Sequence, residues 1–204
     1  MNDRARADNG STRHHSTEPD PMHSRLITID AIVTLYSTWG ALRYDEAVTQ
    51  NDHAVQCAAL AVRDGGSDEF VVAALLHDIG HLLWMSAYGD SVAAHDTHHE
   101  LVGAHCLDAL FGPSVCEPIR LHVEAKRVLL AIEPGYDDAL SAGSRASAAR
   151  QGGPASPEEV GRFHSLPFAD DALWLRRIDD TGKFVGLEVK PFESYLPLLR
   201  CCLR

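Results

Sequence analysis

His77, Asp78 and His81 close the apolar run Ala73-Ala74-Leu75-Leu76, and their types and spacing are those of a metal-binding site. On a helix, His77 and His81 lie four residues apart on one face, with Asp78 beside the first and three before the second. Imidazole and carboxylate ligands together suit a borderline metal such as zinc, iron or manganese. Asp78 has two carboxylate oxygens, so it can bridge two ions. The competing reading is a helix that buries Ala73 to Leu76 and shows a polar end to solvent; against it, polar groups buried at this density need partners to offset their desolvation.

Helices must position these groups. Apolar residues recur at three and four over 28–39, which Gly40 ends, and a second helix runs through Ala54, Cys57, Ala58, Leu60 and Ala61 to Gly65-Gly66. Ser67 or Asp68 caps a third helix, 69–84, which carries the opening motif. Thr97-His98-His99-Glu100 has the form of a capping box and places His99 in the first turn of a helix that stops at Gly112-Pro113. Ser114-Val115-Cys116-Glu117 repeats that signature and opens a helix to about 132, with His122 and Lys126 on one face. Residues 133–159, rich in Gly, Ser, Ala and Pro, read as one long loop, either solvated linker or a functional loop whose hydroxyls and amides suit an anion. Pro167 opens a helix into Arg176-Arg177-Ile178-Asp179-Asp180, and 183–189 alternates weakly, as a short strand would. Trp39, Trp84 and Trp174 fall at helical apolar positions expected in the core. Residues 1–23 lack periodicity and read as a disordered tail, which leaves 24–204 as one all-α domain, a helical bundle.

Composition narrows the function classes. The chain of 204 residues fits one domain, and its 45% hydrophobic content is enough for a core. A formal net charge of −11 argues against nucleic acid as a partner, because phosphate-backbone binding rests on basic patches. The five cysteines are odd in number and form no CxxC pair. With no secretory apolar segment at the start, the expectation is a reduced, cytoplasmic protein. No apolar stretch is expected to approach the ~18 residues of a membrane helix, so no membrane partner is expected.

His53, His77, Asp78, His99, His122 and Asp179 together make four histidines and two carboxylates drawn from five helices, a set suited to a pair of metals in a bundle. The pattern resembles the HD-domain superfamily, whose sign is His…His-Asp…Asp on a helical scaffold, over about 27–189 of the chain. His99 and His122 resemble its dinuclear branch.

Within that branch the chain looks most like the phosphonate-degrading oxygenases, whose best-known type acts on 2-amino-1-hydroxyethylphosphonate. The closer match is carried by Tyr44…Glu46…Val48-Thr49-Gln50…His53, Leu75-Leu76-His77-Asp78-Ile79-Gly80-His81 and His99-Glu100…Gly103-Ala104. It continues in His122-Val123-Glu124-Ala125-Lys126-Arg127, Gln151-Gly152-Gly153-Pro154 and Leu175-Arg176-Arg177-Ile178-Asp179-Asp180. The resemblance implies a mixed-valent di-iron Fe(II)/Fe(III) cofactor, with O2 as co-substrate and a small organophosphonate as partner. It carries over one iron on His53, His77 and Asp179, another on His99 and His122, and Asp78 between them. Asp180 competes with Asp179, and the four-residue spacing from Asp179 to Lys183 favours Asp179. His98 competes with His99, and the Glu100 that follows favours His99.

By the same resemblance Tyr44, with Glu46 near it, forms a lid over the open iron position. Lys126 and a protonated His81 grip the phosphonate, and Ser144, Ser147 and Gln151 belong to a loop that contacts it. The implied reaction is C–P bond cleavage of a 1-hydroxyphosphonate, 2-amino-1-hydroxyethylphosphonate or an N-methylated analogue, with O2, giving phosphate and a carboxylic acid such as glycine. The alternative is a metal-dependent phosphohydrolase acting on a nucleotide or other phosphate ester, since the same ligands can activate water.

Overall fold

In the computed structural model, residues 26, 28–43, 48–89 and 98–204 are described. The sequence expectations for the tail 1–23, for Tyr44 and Glu46, and for Thr97 lie outside them. The described chain is helical: α1 Ile29–Trp39, α2 Gln50–Arg63, α3 Asp68–Leu76, α4 Ile79–Tyr88, α5 His99–Leu107, α6 Pro113–Ile132, α7 Tyr136–Ala139, α8 Ala142–Arg150, α9 Pro157–His164, α10 Ala169–Thr181 and α11 Leu196–Cys201. Among the described residues there is no strand, only the isolated bridges Arg43–Thr49 and Phe111–Leu203.

Short polar side chains start several of these helices where backbone donors would otherwise be orphaned. Thr28 accepts from Ala31, Ser67 from Phe70 and Ser141 from Ser144, while Thr49/Asp52 and Ser156/Glu159 form full capping boxes. The twenty-residue α6 is the central element, packed against α3, α5, α9 and α10. One apolar core joins α1 to α6 with Leu175, Ile178 and the C-terminal Phe192, Tyr195 and Leu199. Trp39, Trp84 and Trp174 pack against it half-buried, and Trp174 stacks on Phe70 at 4.1 Å between ring centroids. A smaller core, built from Leu121, Val128, Leu129, Tyr136, Phe163 and Leu173 among others, holds α7 and α9 onto α6 and α10.

Four expectations change. The stretch expected as a continuous helix over 69–84 breaks at the motif itself: α3 ends at Leu76, Asp78 leaves the helical region at φ −99, ψ 10, and α4 starts at Ile79. The expected loop 133–159 holds α7, α8 and the start of α9: Ser141 and the Ser156/Glu159 box cap α8 and α9, and the second core covers α7 and α9. The strand expected over 183–189 is irregular chain. There the buried Gln56 side chain donates to the Phe184 carbonyl (2.8 Å) and accepts its N–H (2.9 Å), the two bonds a neighbouring strand would have made. Asp68–Tyr88 is long and apolar enough by length and composition to cross a membrane, contrary to the sequence reading, yet 72% of that window is buried inside the molecule, as a core helix would be.

Candidate metal centre and anion pocket

The break between α3 and α4 turns His77 and Asp78 inward together. Asp78 Oδ2 lies 3.6 Å from His53 Nε2 and 3.4 Å from His77 Nε2, while Oδ1 lies 3.2 Å from His99 Nε2 and 3.7 Å from His122 Nε2. Asp179 Oδ1 completes the first set at 3.2 Å from His53 Nε2. His53 and His77 approach within 3.2 Å through Nε2, as do His99 and His122 at 3.1 Å. The donor atoms of His53, His77, Asp78 and Asp179 all lie within 4.8 Å of one another, and so do those of Asp78, His99 and His122. All six residues are buried.

The outer nitrogens explain why the inner ones converge. Nδ1 of His53 donates to the Gly182 carbonyl (2.8 Å), that of His77 to Ala74 (2.9 Å) and that of His122 to Ile119 (2.7 Å), which leaves each Nε2 a lone pair aimed at the centre. Gly182 can come so near because a Cβ there would stand 2.6 Å from Cys57 Sγ. His99 differs: its Nδ1 faces the buried carboxylate of Glu100, with Oε2 at 3.7 Å and without a hydrogen-bond partner. The α5 helix starts from His98 in the left-handed region at φ 46, with no side-chain cap and its imidazole exposed, so His99 and not His98 enters the site. Gly112, also without a side-chain cap, precedes α6 where Ser114 was expected to cap it.

Electrostatics show what this cluster demands. Burial works against charge on Asp78, and the surrounding histidines, His77 foremost, overcome it and hold the carboxyl well below its usual range. Burial likewise opposes charge on His77, yet Asp78 and Asp179 raise it to about 10. His122 is pushed far down by burial and by its neighbours His99 and His77. Asp78 Oδ2 is buried and has no hydrogen-bond partner. Two anionic carboxylates, inward imidazole lone pairs and an unsatisfied carboxylate oxygen are the donor set of two cations sharing Asp78, so the residues fit a dinuclear metal.

Of the two aspartates, only Asp179 faces the centre. Arg176 Nη1 holds its outer oxygen at 2.6 Å, and Asp180 turns away to hydrogen-bond Tyr136 and Arg176. Next to the metal ligands lies a cluster of polar side chains. Lys126, 3% exposed, donates to Ser147 Oγ at 2.9 Å, and burial, helped by Arg176, pulls it down to about 8. Lys183 donates to Ser144 Oγ at 3.1 Å. Gln151 is half-buried at the end of α8, with a buried Oε1 lacking a partner. Arg127 pins this region to α6 through the Gly153 carbonyl (3.0 Å) and a two-point pair with Glu159 (3.0 and 3.1 Å). The His81 ring stacks on His99 at 3.9 Å, and desolvation together with His99 pushes it down to about 3. The protonated His81 expected from sequence is therefore corrected to a neutral imidazole in the protein alone, and positive charge at the pocket comes from the lysines. Lys183 served the sequence reading only as a spacing mark, and the same four-residue offset from Asp179 was the signal for it.

The chain is similar to known proteins. The HD domain family matches residues 51–159. A hydroxymethylphosphonate dioxygenase of Gimesia maris is 41% identical over 177 residues, 86% of this chain and 88% of that protein. The [1-hydroxy-2-(trimethylamino)ethyl]phosphonate dioxygenase (glycine-betaine-forming) of Leisingera caerulea is 35% identical over 155 residues, 76% of this chain and 79% of that one. An uncharacterized protein, L432, of Acanthamoeba polyphaga mimivirus is 32% identical over 183 residues, 87% and 83% of the two chains. A helical bundle built around His77-Asp78, and relatives of this coverage, place the chain in the HD-domain family and, within it, in the branch of the phosphonate dioxygenases.

Proposed function

We propose that this protein is a di-iron dioxygenase that cleaves the C–P bond of a 1-hydroxyphosphonate with O2. The observation that carries the reading is the shared carboxylate: Asp78 sends one oxygen to each histidine set, 3.4 Å from His77 and 3.2 Å from His99. The substrate class follows from the two named relatives, whose substrates have in common a hydroxyl on the carbon that bears phosphorus. The balanced reaction is R–CH(OH)–PO3 dianion plus O2 giving R–COO anion, HPO4 dianion and one proton: the C–P and O–O bonds break, carbon is oxidised and oxygen reduced.

His53, His77 and Asp179 would hold one iron and His99 and His122 the other, with Asp78 common to both; bound there in the mixed-valent Fe(II)/Fe(III) state, the pair supplies the redox chemistry of O2. The chain's own part is positioning and electrostatics. Lys126, cationic below about 8 and held in place by the Ser147 hydroxyl, binds the phosphonate oxygens where charge is poorly screened. Neutral His81, flat against His99, hydrogen-bonds the substrate beside the second metal position. Tyr44 and Glu46 are assigned the lid. The five cysteines are free, which suits a reducing cytoplasm.

The test is anaerobic purification with iron, metal analysis and EPR, then hydroxymethylphosphonate, 2-amino-1-hydroxyethylphosphonate and its trimethylated analogue with and without O2. Expected are two irons per chain, a mixed-valent signal perturbed by substrate, and phosphate release that requires O2. Redox-inert metal, with hydrolysis of a phosphate ester indifferent to O2, would instead make the protein a phosphohydrolase.

A further inference from the structure

We propose that Lys183 is a second cationic arm of the anion pocket, acting with Lys126 to hold the two negative charges of the substrate's phosphonate. This rests on the reading above and deepens it.

Ser144 and Ser147 lie one turn apart on α8, and each is held by a lysine from a different part of the chain. Lys126 on α6 donates to Ser147 at 2.9 Å, and Lys183, just past α10, donates to Ser144 at 3.1 Å. The Ser147 hydroxyl donates its own hydrogen bond to the Ser144 carbonyl at 2.9 Å. The Ser144 hydroxyl proton has no acceptor among the described residues, so that group remains able to donate to an anion. Two lysines and a donating hydroxyl match a phosphonate dianion in charge and in hydrogen-bond sense, where one lysine leaves a buried charge unpaired.

The backbone on both sides of Lys183 is anchored by hydrogen bonds. On one side, the Gly182 carbonyl accepts from His53 Nδ1 at 2.8 Å. On the other, the Phe184 backbone is clamped by both atoms of the Gln56 amide at 2.8 and 2.9 Å. Both anchors come from α2. The side chain is 11% exposed, so holding an ammonium there requires a standing partner.

A plainer role is counter-charge to Asp179, whose Oδ1 lies 3.5 Å from Lys183 Nζ. Arg176 already supplies that charge at 2.6 Å on the other oxygen, and Oδ1 is the oxygen that faces His53 at 3.2 Å. A cation held by His53, His77 and Asp179 would compete with the ammonium for Oδ1, and Ser144 turns Lys183 toward an incoming anion.

The experiment titrates inorganic phosphate, by calorimetry, into the full chain loaded with zinc, so that binding is read apart from turnover. The proteins compared are wild type, Lys183→Met, Lys183→Arg and Ser144→Ala, each with its metal content measured. Expected is phosphate binding weakened about tenfold or more by Lys183→Met at unchanged metal content. Lys183→Arg should retain most of the affinity, and combining Lys183→Met with Ser144→Ala should cost less than the sum of the two. If Lys183→Met fails to fold, Ser144→Ala and Lys183→Arg still decide: equal affinity to wild type in Ser144→Ala overturns the proposal. So does a Lys183→Met protein that loses metal but binds phosphate normally per loaded chain. A wild-type protein that binds neither phosphate nor phosphonate removes the pocket itself and overturns the functional reading as well.

Discussion

Gly80 lies against the backbone of His99 so closely that a Cβ at position 80 would stand 2.0 Å from the His99 carbonyl oxygen. Backbone carbonyls do not swing aside as the end of a side chain can, so α4 and α5 meet at this distance only because residue 80 is glycine. The contact fixes where His99 enters the site and where His81, one residue on, stacks upon it at 3.9 Å. Gly80→Ala is expected to destabilise the fold by about 3 kcal/mol and to lower metal uptake by the Asp78, His99 and His122 set. Gly161→Ala is the counterpart: a Cβ there meets nothing within 4 Å inside α9, and a gain of about 0.5–1 kcal/mol is expected. Thermal unfolding with metal analysis reads both, and a Gly80→Ala protein that loads metal normally would contradict the contact's role.

The two adjacent aspartates separate cleanly by mutation. Asp179→Asn should abolish metal uptake at the His53/His77 position, since Asp179 Oδ1 is the carboxylate oxygen facing it. Asp180→Asn should keep the metal and lose about 1–3 kcal/mol of stability, because Asp180 serves Tyr136 and Arg176 instead. Metal stoichiometry distinguishes them, and equal loss in both variants would mean the pair is read wrongly.

Lys126 should set the alkaline limb of activity. Burial lowers its pKa to about 8, so the ammonium that binds a phosphonate is present below that value and lost as pH rises through it. The kcat/KM profile is expected to fall above about 8 and to lose that limb in Lys126→Met, with KM raised more than kcat is lowered. An unchanged limb in the variant would assign it to another group.

His77 links metal, pH and stability. Its pKa in the metal-free fold is raised from 6.5 to about 10, so the protonated ring stabilises that fold fully below 6.5, and the contribution is lost as pH rises through about 10. Stripped of metal, the protein should therefore show a melting temperature that falls across this window, while the loaded protein holds steady. Because metal must displace the same proton, its affinity should weaken as pH falls. Melting curves with and without chelator from pH 6 to 10 check the first point, and a metal titration at two pH values checks the second.

The sequence made the convergence of His53, His77, Asp78, His99, His122 and Asp179 legible, because histidines and aspartates abutting apolar helical runs are costly unless they meet. It did not show the break at Asp78: the weak helix propensity of His and Asp permits one, but the apolar run on either side reads as continuous helix. It hid α8 because Ala142–Arg150 has almost no apolar face, and the loop reading of 133–159 passed over the Ser156/Glu159 capping signature that starts α9. It suggested a strand over 183–189 because apolar alternation is indifferent to whether the partner is another strand or, as here, one glutamine amide. Neither spacing nor composition could show that His81 is pushed toward the neutral form, which comes first from its burial and then from the neighbouring His99.

With one oxygen 3.4 Å from His77 and the other 3.2 Å from His99, Asp78 also binds the two positions thermodynamically. An ion in one position draws charge from the same carboxylate the other must use, and it repels its neighbour across that bridge. By linkage, whatever factor the first ion imposes on the second is returned in equal measure. Singly loaded protein is thus a distinct state, whose abundance at limiting metal reports the coupling, and loading should follow a two-step isotherm and not two copies of one.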